Sequence, residues 1–108
     1  MSHTVAITRA AWSDLERIVD WIADHDSPES ANHVLDRLLE ATQSISESPF
    51  RGSRPRELPP GMPGEYRQVF FKPDRVIYKV LEEAVVIYVI ADGRRHLKSL
   101  LFQRLTSE

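Results

Sequence analysis

One change of hydrophobic period restricts the fold of this 108-residue chain more than any other feature. Before residue 48 the apolar residues recur mostly at helical spacing, and after residue 64 they recur at every second position. Ala11, Leu15, Ile18 and Ile22 make the first helical stripe, widened by Trp12, Val19 and Ala23, and the run ends near Asp24-His25-Asp26. Ser27-Pro28-Glu29 then combines a capping serine, a proline at the first helical position and an acid in the first turn. Ala31, Val34, Leu35, Leu38, Ala41 and Ile45 give the second stripe, which Ser48-Pro49 stops. Two helices this close in sequence form an antiparallel hairpin. Ahead of them, Val5 and Ile7 alternate with polar neighbours, so residues 3–8 read as a short strand.

Residues 49–64 hold five of the seven prolines and three of the four glycines, together with Arg51, Arg54 and Arg56, and read as a solvated connecting loop. The period-two region follows. Tyr66–Phe71 is a strand, Lys72-Pro73-Asp74 a turn, Arg75–Leu81 a strand, Glu82-Glu83 a tight turn and Ala84–Ala91 a strand. The last is apolar at nearly every position, as expected of a central strand covered on both faces. Leu97, Leu100, Leu101 and Leu105 mark a short C-terminal helix. The expected class is α+β, one domain over residues 1–108 in the order β-α-α-β-β-β-α. An antiparallel sheet would carry the helical hairpin on one face.

Composition narrows the function. No apolar run approaches the roughly 20 residues of a membrane helix. The first residues lack the basic and apolar regions of a signal peptide, which places the protein in the cytoplasm without a membrane partner. With no cysteine, disulfides and thiolate-ligated zinc are excluded. His3, His25, His33 and His96 show no ligand spacing, no glycine-rich phosphate loop follows a strand, and no local triad signature occurs, so neither metal nor cofactor is expected. Charge is divided: residues 1–50 carry three basic side chains against nine acidic, and residues 51–108 carry eleven against seven.

Arginines in the strands form the remaining candidate site. Arg67 begins one strand, Arg75 the next, and Arg94-Arg95 closes the last. Buried charge is costly unless paired. Either these guanidinium groups converge across one face of a twisted sheet to meet an anionic partner, or Asp92 and the helix acids neutralise them internally. Tyr78 alternates with Val76 and Val80, which suits a core residue whose hydroxyl reaches the sheet rim; a stacking or proton-transfer role is the alternative.

Arg56-Glu57-Leu58, Glu65-Tyr66-Arg67-Gln68-Val69, Asp74 through Val80, and Ala91-Asp92-Gly93-Arg94-Arg95-His96-Leu97-Lys98-Ser99-Leu100-Leu101 together resemble the RelE/ParE toxin superfamily, as does Pro49-Phe50-Arg51-Gly52 after the second helix. The resemblance implies the toxin of a type II toxin–antitoxin module, neutralised in a complex by a cognate antitoxin. RelE-like members cut messenger RNA on the ribosome, and ParE-like members inhibit DNA gyrase. If the chain is a ribonuclease, the implied catalytic candidates are Arg67, Arg75, Arg95 and His96, with Arg67 standing where RelE has a lysine. Val69 and Leu101 fall where RelE has its second lysine and its catalytic tyrosine, and neither can move a proton. That favours a ParE-like gyrase inhibitor without enzymatic activity, the ribosome-dependent mRNA interferase being the alternative. The implied target-binding residues are Arg67, Arg75, Tyr78, Arg94, Arg95 and Lys98, within or beside a C-terminal region, Asp92–Leu105, that carries toxicity. The antitoxin would meet Trp12, Trp21, Arg75 and Arg94, in a groove beside the helical hairpin and on the basic sheet face.

Overall fold

The computed structural model describes residues 2–71, 73–92 and 96–106. Its elements are β1 (Thr4–Ile7), α1 (Arg9–His25), α2 (Pro28–Glu47), β2 (Glu65–Phe71), β3 (Asp74–Val80), β4 (Ala84–Asp92) and α3 (Leu97–Thr106). The order is the expected one. Thr8 caps α1 by accepting the Ala11 N–H at 3.1 Å, and Ser27 caps α2 by accepting the Ser30 N–H at 3.0 Å with Pro28 behind it. At the far ends the Asp26 and Ser48 amides close the last turns on the Ile22 and Ser44 carbonyls.

The four strands lie in the order β1-β4-β3-β2. The last three meander antiparallel, but β1 runs parallel to β4, so the sheet is mixed rather than wholly antiparallel. Parallel neighbours cannot be joined by a tight turn. Here the connection passes through the helical hairpin, β2 and β3, so β1 is free to dock on β4 as its outer neighbour.

A bulge interrupts β4. Ile77 pairs with Val89 while Tyr78 pairs with Ile87, which leaves Tyr88 as the extra residue and reverses the face of everything after it. Val85, Ile87 and Ile90 therefore join the core beneath the hairpin, with Val76, Tyr78, Leu15 and Leu38. Val89 and Ala91 join a second core with Ile77, Leu58 and the leucines of α3. Both faces of β4 are covered, as its apolar run requires. No helix among the described residues is long and apolar enough to cross a membrane.

Residues 49–64 do not form a solvated connector. They wrap the outer edge of β2: Pro49 touches Tyr78 on the hairpin side, Ser53 exchanges two backbone hydrogen bonds with Gln68 at the edge, and Leu58 is buried on the α3 side. Prolines and glycines mark irregular backbone, which here is also packed backbone. Gly52 is the point of closest approach, since a Cβ there would overlap the Gln68 carbonyl and stand 3.0 Å from the Tyr78 hydroxyl.

Candidate functional site

Arg67 and Arg75, the members of the expected arginine array that lie among the described residues, do not converge. A three-residue turn over Lys72–Asp74 would pair Phe71 with Arg75 and set Arg67 and Arg75 on the same face. Asp74 instead belongs to β3 and pairs with Phe71, while Lys72 itself lies outside the described residues. That single-residue difference puts the two arginines on opposite faces. Arg67 pairs with Tyr78 on the hairpin side, and Arg75 faces the α3 side beside Phe70 and Ala91.

Both are engaged internally. Arg67 Nε donates to Glu65 Oε2 at 2.7 Å, Nη1 donates to the Phe50 carbonyl at 2.9 Å and to the Gly52 carbonyl, and the guanidinium lies over the Phe50 ring. It fastens the Pro49–Gly52 segment to β2, and the Tyr78 hydroxyl does the same by donating to the Pro49 carbonyl at 2.8 Å. Arg75 makes a bidentate pair with Glu57, at 2.9 and 3.0 Å, and also donates to Gln68 Oε1. The side chains of Arg75 and Glu57 are only 12% and 19% exposed. The hydrogen bond from Arg75 holds the Glu57 carboxyl below its usual range, against the opposing effect of burial. Arg75 Nε is buried and has no hydrogen-bond partner among the described residues. The neutralising acid is thus Glu57 of the loop, not the helix acids expected from the sequence.

Tyr78 has no exposed surface, and burial pushes its phenol above the usual range, so in this fold it is a core residue whose hydroxyl holds the Pro49 carbonyl. Val69 and Leu101 are buried in the two cores. His96 is exposed and hydrogen-bonded to Ser99 Oγ at 2.9 Å, at the start of α3. Lys98 is also exposed. It lines an apolar cavity of about 300 Å³ with Leu58, Met62 and Phe102. Arg94 and Arg95 lie outside the described residues. No cluster able to hold a metal ion occurs among the described residues.

Trp12 and Trp21 are 47% and 58% exposed, as an interaction role requires, but nine positions on a helix put them on opposite sides of α1. Trp21, stacked on His25 at 4.3 Å, borders a groove of about 430 Å³ between the hairpin and one end of the sheet; Trp12 does not. Ile18, Ile22, Val34, Leu38 and Phe71 form the apolar walls of that groove, and Asp14, Arg17, Arg37, Asp74 and Asp92 its polar positions.

One constellation was missed in the sequence. Asp14, 1% exposed, accepts from both terminal nitrogens of Arg104 at 2.7 Å, from Arg17 Nη2 at 2.6 Å and from the Ile90 N–H at 3.0 Å. Arg104 also donates to the Tyr88 carbonyl at 3.0 Å. Because β1 pairs only with Ala84–Ile87, these side chains take the backbone groups of β4 that a longer β1 would have used. The signal was present: Asp14 shares the apolar stripe of Ala11, Leu15 and Ile18, where an acid must find a buried partner.

Comparison with known proteins agrees with this architecture. The family model described as ParE toxin of type II toxin-antitoxin system, parDE, matches residues 5–97. Toxin ParE3 of Caulobacter vibrioides is 31% identical over 94 residues, covering 87% of this chain and 90% of that protein. Among solved structures, the chromosomal ParDE toxin–antitoxin system of P. aeruginosa superposes with a TM-score of 0.67 at 22% identity, over 84% of this chain and 96% of that one. The RelBE2 toxin–antitoxin complex of Mycobacterium tuberculosis gives 0.63 at 20% identity, over 85% and 99%. A mutant of the E. coli toxin RelE in the free state gives 0.59 at 15% identity, over 93% of each chain. These three structural likenesses are of fold, whereas the family model and the Caulobacter relative place this chain in the ParE toxin family of type II toxin–antitoxin systems.

Proposed function

We propose that this chain arrests growth by binding and inhibiting DNA gyrase, without cutting RNA, and that a cognate antitoxin neutralises it. The observation that carries the reading is the engagement of Arg75. An RNA-cleaving site needs cations free to meet a phosphate and groups that move protons at the attacking and leaving oxygens. Arg75 is instead closed off by Glu57 and Gln68, Arg67 faces the other side of the sheet, and Val69 and Leu101 are buried hydrocarbon. Of the catalytic candidates among the described residues, His96 is the one with an exposed side chain, and it has a serine as its neighbour. Surface contact remains as the mode of action. Among the described residues of the expected target surface, Lys98 is exposed on α3, with exposed Phe102 on the same helix. Of the expected antitoxin surface, Trp12 and Trp21 are exposed, and Trp21 borders a groove.

Controlled expression tests this. The expected outcome is growth arrest with accumulated DNA breaks and no codon-specific RNA ends, relieved by co-expressing the reading frame next to the toxin gene. RNA ends at defined codon positions, with DNA intact, would overturn the reading in favour of the mRNA interferase.

A further inference from the structure

Lys98, Leu101, Phe102 and Leu105 fall at helical spacing on α3 and form one stripe, which makes one wall of the 300 Å³ cavity. Leu58, Pro59 and Met62 of the connecting loop make the other. The loop wall is held in place. The Leu58 and Met62 amides close turns on the Pro55 and Pro59 carbonyls, at 3.3 and 3.2 Å. Arg54 donates to the Met62 carbonyl at 2.9 Å and to the Gly64 carbonyl at 3.3 Å. Leu58 and Leu101 are buried, whereas Phe102 is 67% exposed, so the cavity runs from the second core out to the surface.

Charge at this cleft is one-sided. Among the described residues two charged side chains line it, Glu57 and Lys98. Both Glu57 oxygens accept from Arg75, so that charge is met within the fold. Lys98 is exposed and makes no hydrogen bond or ion pair among the described residues. An ammonium group therefore stands at one end of an apolar cleft, one helical turn from Leu101 and Phe102. A lone surface lysine is ordinary. Here its neighbours on the same helix face are the walls of an open hydrocarbon cavity, the pattern of a ligand site in which few polar groups fix orientation.

We propose that this cleft binds a small amphiphilic carboxylate, with its apolar tail between the Leu58–Met62 loop and α3 and its carboxylate on the Lys98 ammonium. The tail supplies most of the affinity, about fourfold for each methylene buried. The carboxylate fixes which way the tail enters at a smaller gain, because an exposed ion pair contributes little. One ammonium matches a singly charged head. A phosphomonoester would need a second free cation, and none lines the cleft among the described residues.

The test is an amide-correlation NMR titration of the whole protein with hexanoate, octanoate, octanamide and octylammonium. Octanoate should shift the amides of Leu58, Met62, Leu101 and Phe102 saturably. It should bind about fifteenfold tighter than hexanoate, which is two methylenes shorter. Against octanamide its advantage should be about threefold, the size of an exposed ion pair, with octylammonium weakest. Lys98→Gln, at an exposed position, should remove the difference between octanoate and octanamide and keep the dependence on chain length. No saturable shift with octanoate, equal binding of hexanoate, or a carboxylate preference that survives Lys98→Gln would each overturn the proposal. Tighter binding of octylammonium would assign the cleft to Glu57 and overturn it too. So would sedimentation with phosphatidylglycerol vesicles without saturable octanoate binding, which would assign the apolar stripe to a lipid surface. Binding is read on the protein alone, so this outcome and that of the growth-arrest experiment are independent.

Discussion

Replacing Asp14 by leucine should destabilise the protein more than any other single change on the surface of α1. The carboxylate is buried and accepts four hydrogen bonds, two of them from Arg104, whose side chain is itself only 13% exposed. Removing one member of a buried ion pair costs about 3–5 kcal/mol. The Ile90 N–H also loses its acceptor, and the combined loss is about 4–6 kcal/mol. Arg17 contributes little to that figure, because its side chain is largely exposed. In a domain of this size a loss of about 4 kcal/mol lowers Tm by roughly 15–20 °C. Urea unfolding followed by circular dichroism gives the free energies directly. The informative comparison is a cycle with Arg104→Met. That variant leaves Asp14 with Arg17 and the Ile90 amide, so its cost is smaller. The double variant buries no charge at this point, and it should be more stable than the sum of the single changes predicts, by at least about 1.5 kcal/mol. Asp14→Leu costing less than about 1 kcal/mol, or simple additivity in the cycle, would refute the view that this pair replaces a strand along β4.

Glu57→Ala should cost about 1.5–3 kcal/mol at neutral pH by stripping Arg75 of its charged partner. Because the folded carboxyl lies below its unfolded value, that stabilisation is fully present above the unfolded value near 4.5 and is lost as the pH falls through the folded one; unfolding of the variant and the parent should converge in acid. Asp74→Asn should have the opposite sign. The folded Asp74 carboxyl is raised above 3.8, so its charge opposes folding at neutral pH, and the variant's gain in stability should shrink as the pH is lowered. Gly52→Ala should destabilise by about 1–3 kcal/mol, since the added methyl meets the Gln68 backbone, and thermal melts would show it.

Elements and caps were legible because their signals are local. Ser27-Pro28-Glu29 starts α2 where such a triplet should, and the apolar run of β4 announced a strand covered twice. Side-chain direction was less legible. Val85 through Ile90 are apolar without exception, so no polar residue marks where the bulge at Tyr88 reverses the alternation. The same weakness hid the separation of Arg67 from Arg75: whether Asp74 belongs to the turn or to β3 decides which face Arg75 takes, and composition does not record it. Asp14 and Arg104 stand 90 positions apart, so only the unusual place of an acid on an apolar stripe pointed to the pair. Glu57 was quoted within a motif, yet its partner, 18 residues later, became visible only once the loop was seen to wrap β2. The Pro49–Gly52 segment proved structural for the same reason, its side-chain hydrogen bonds running to residues of β2, β3 and α2.

Purified gyrase relaxing or supercoiling a plasmid offers the most direct test of whether this chain acts by contact alone. Titrated against the enzyme, the protein should block supercoiling at near-stoichiometric amounts and leave ribosome-bound messenger RNA intact in a parallel reaction. Undisturbed supercoiling together with catalytic scission of that RNA would contradict the account, and would mean that Arg75 leaves Glu57 to meet a phosphate.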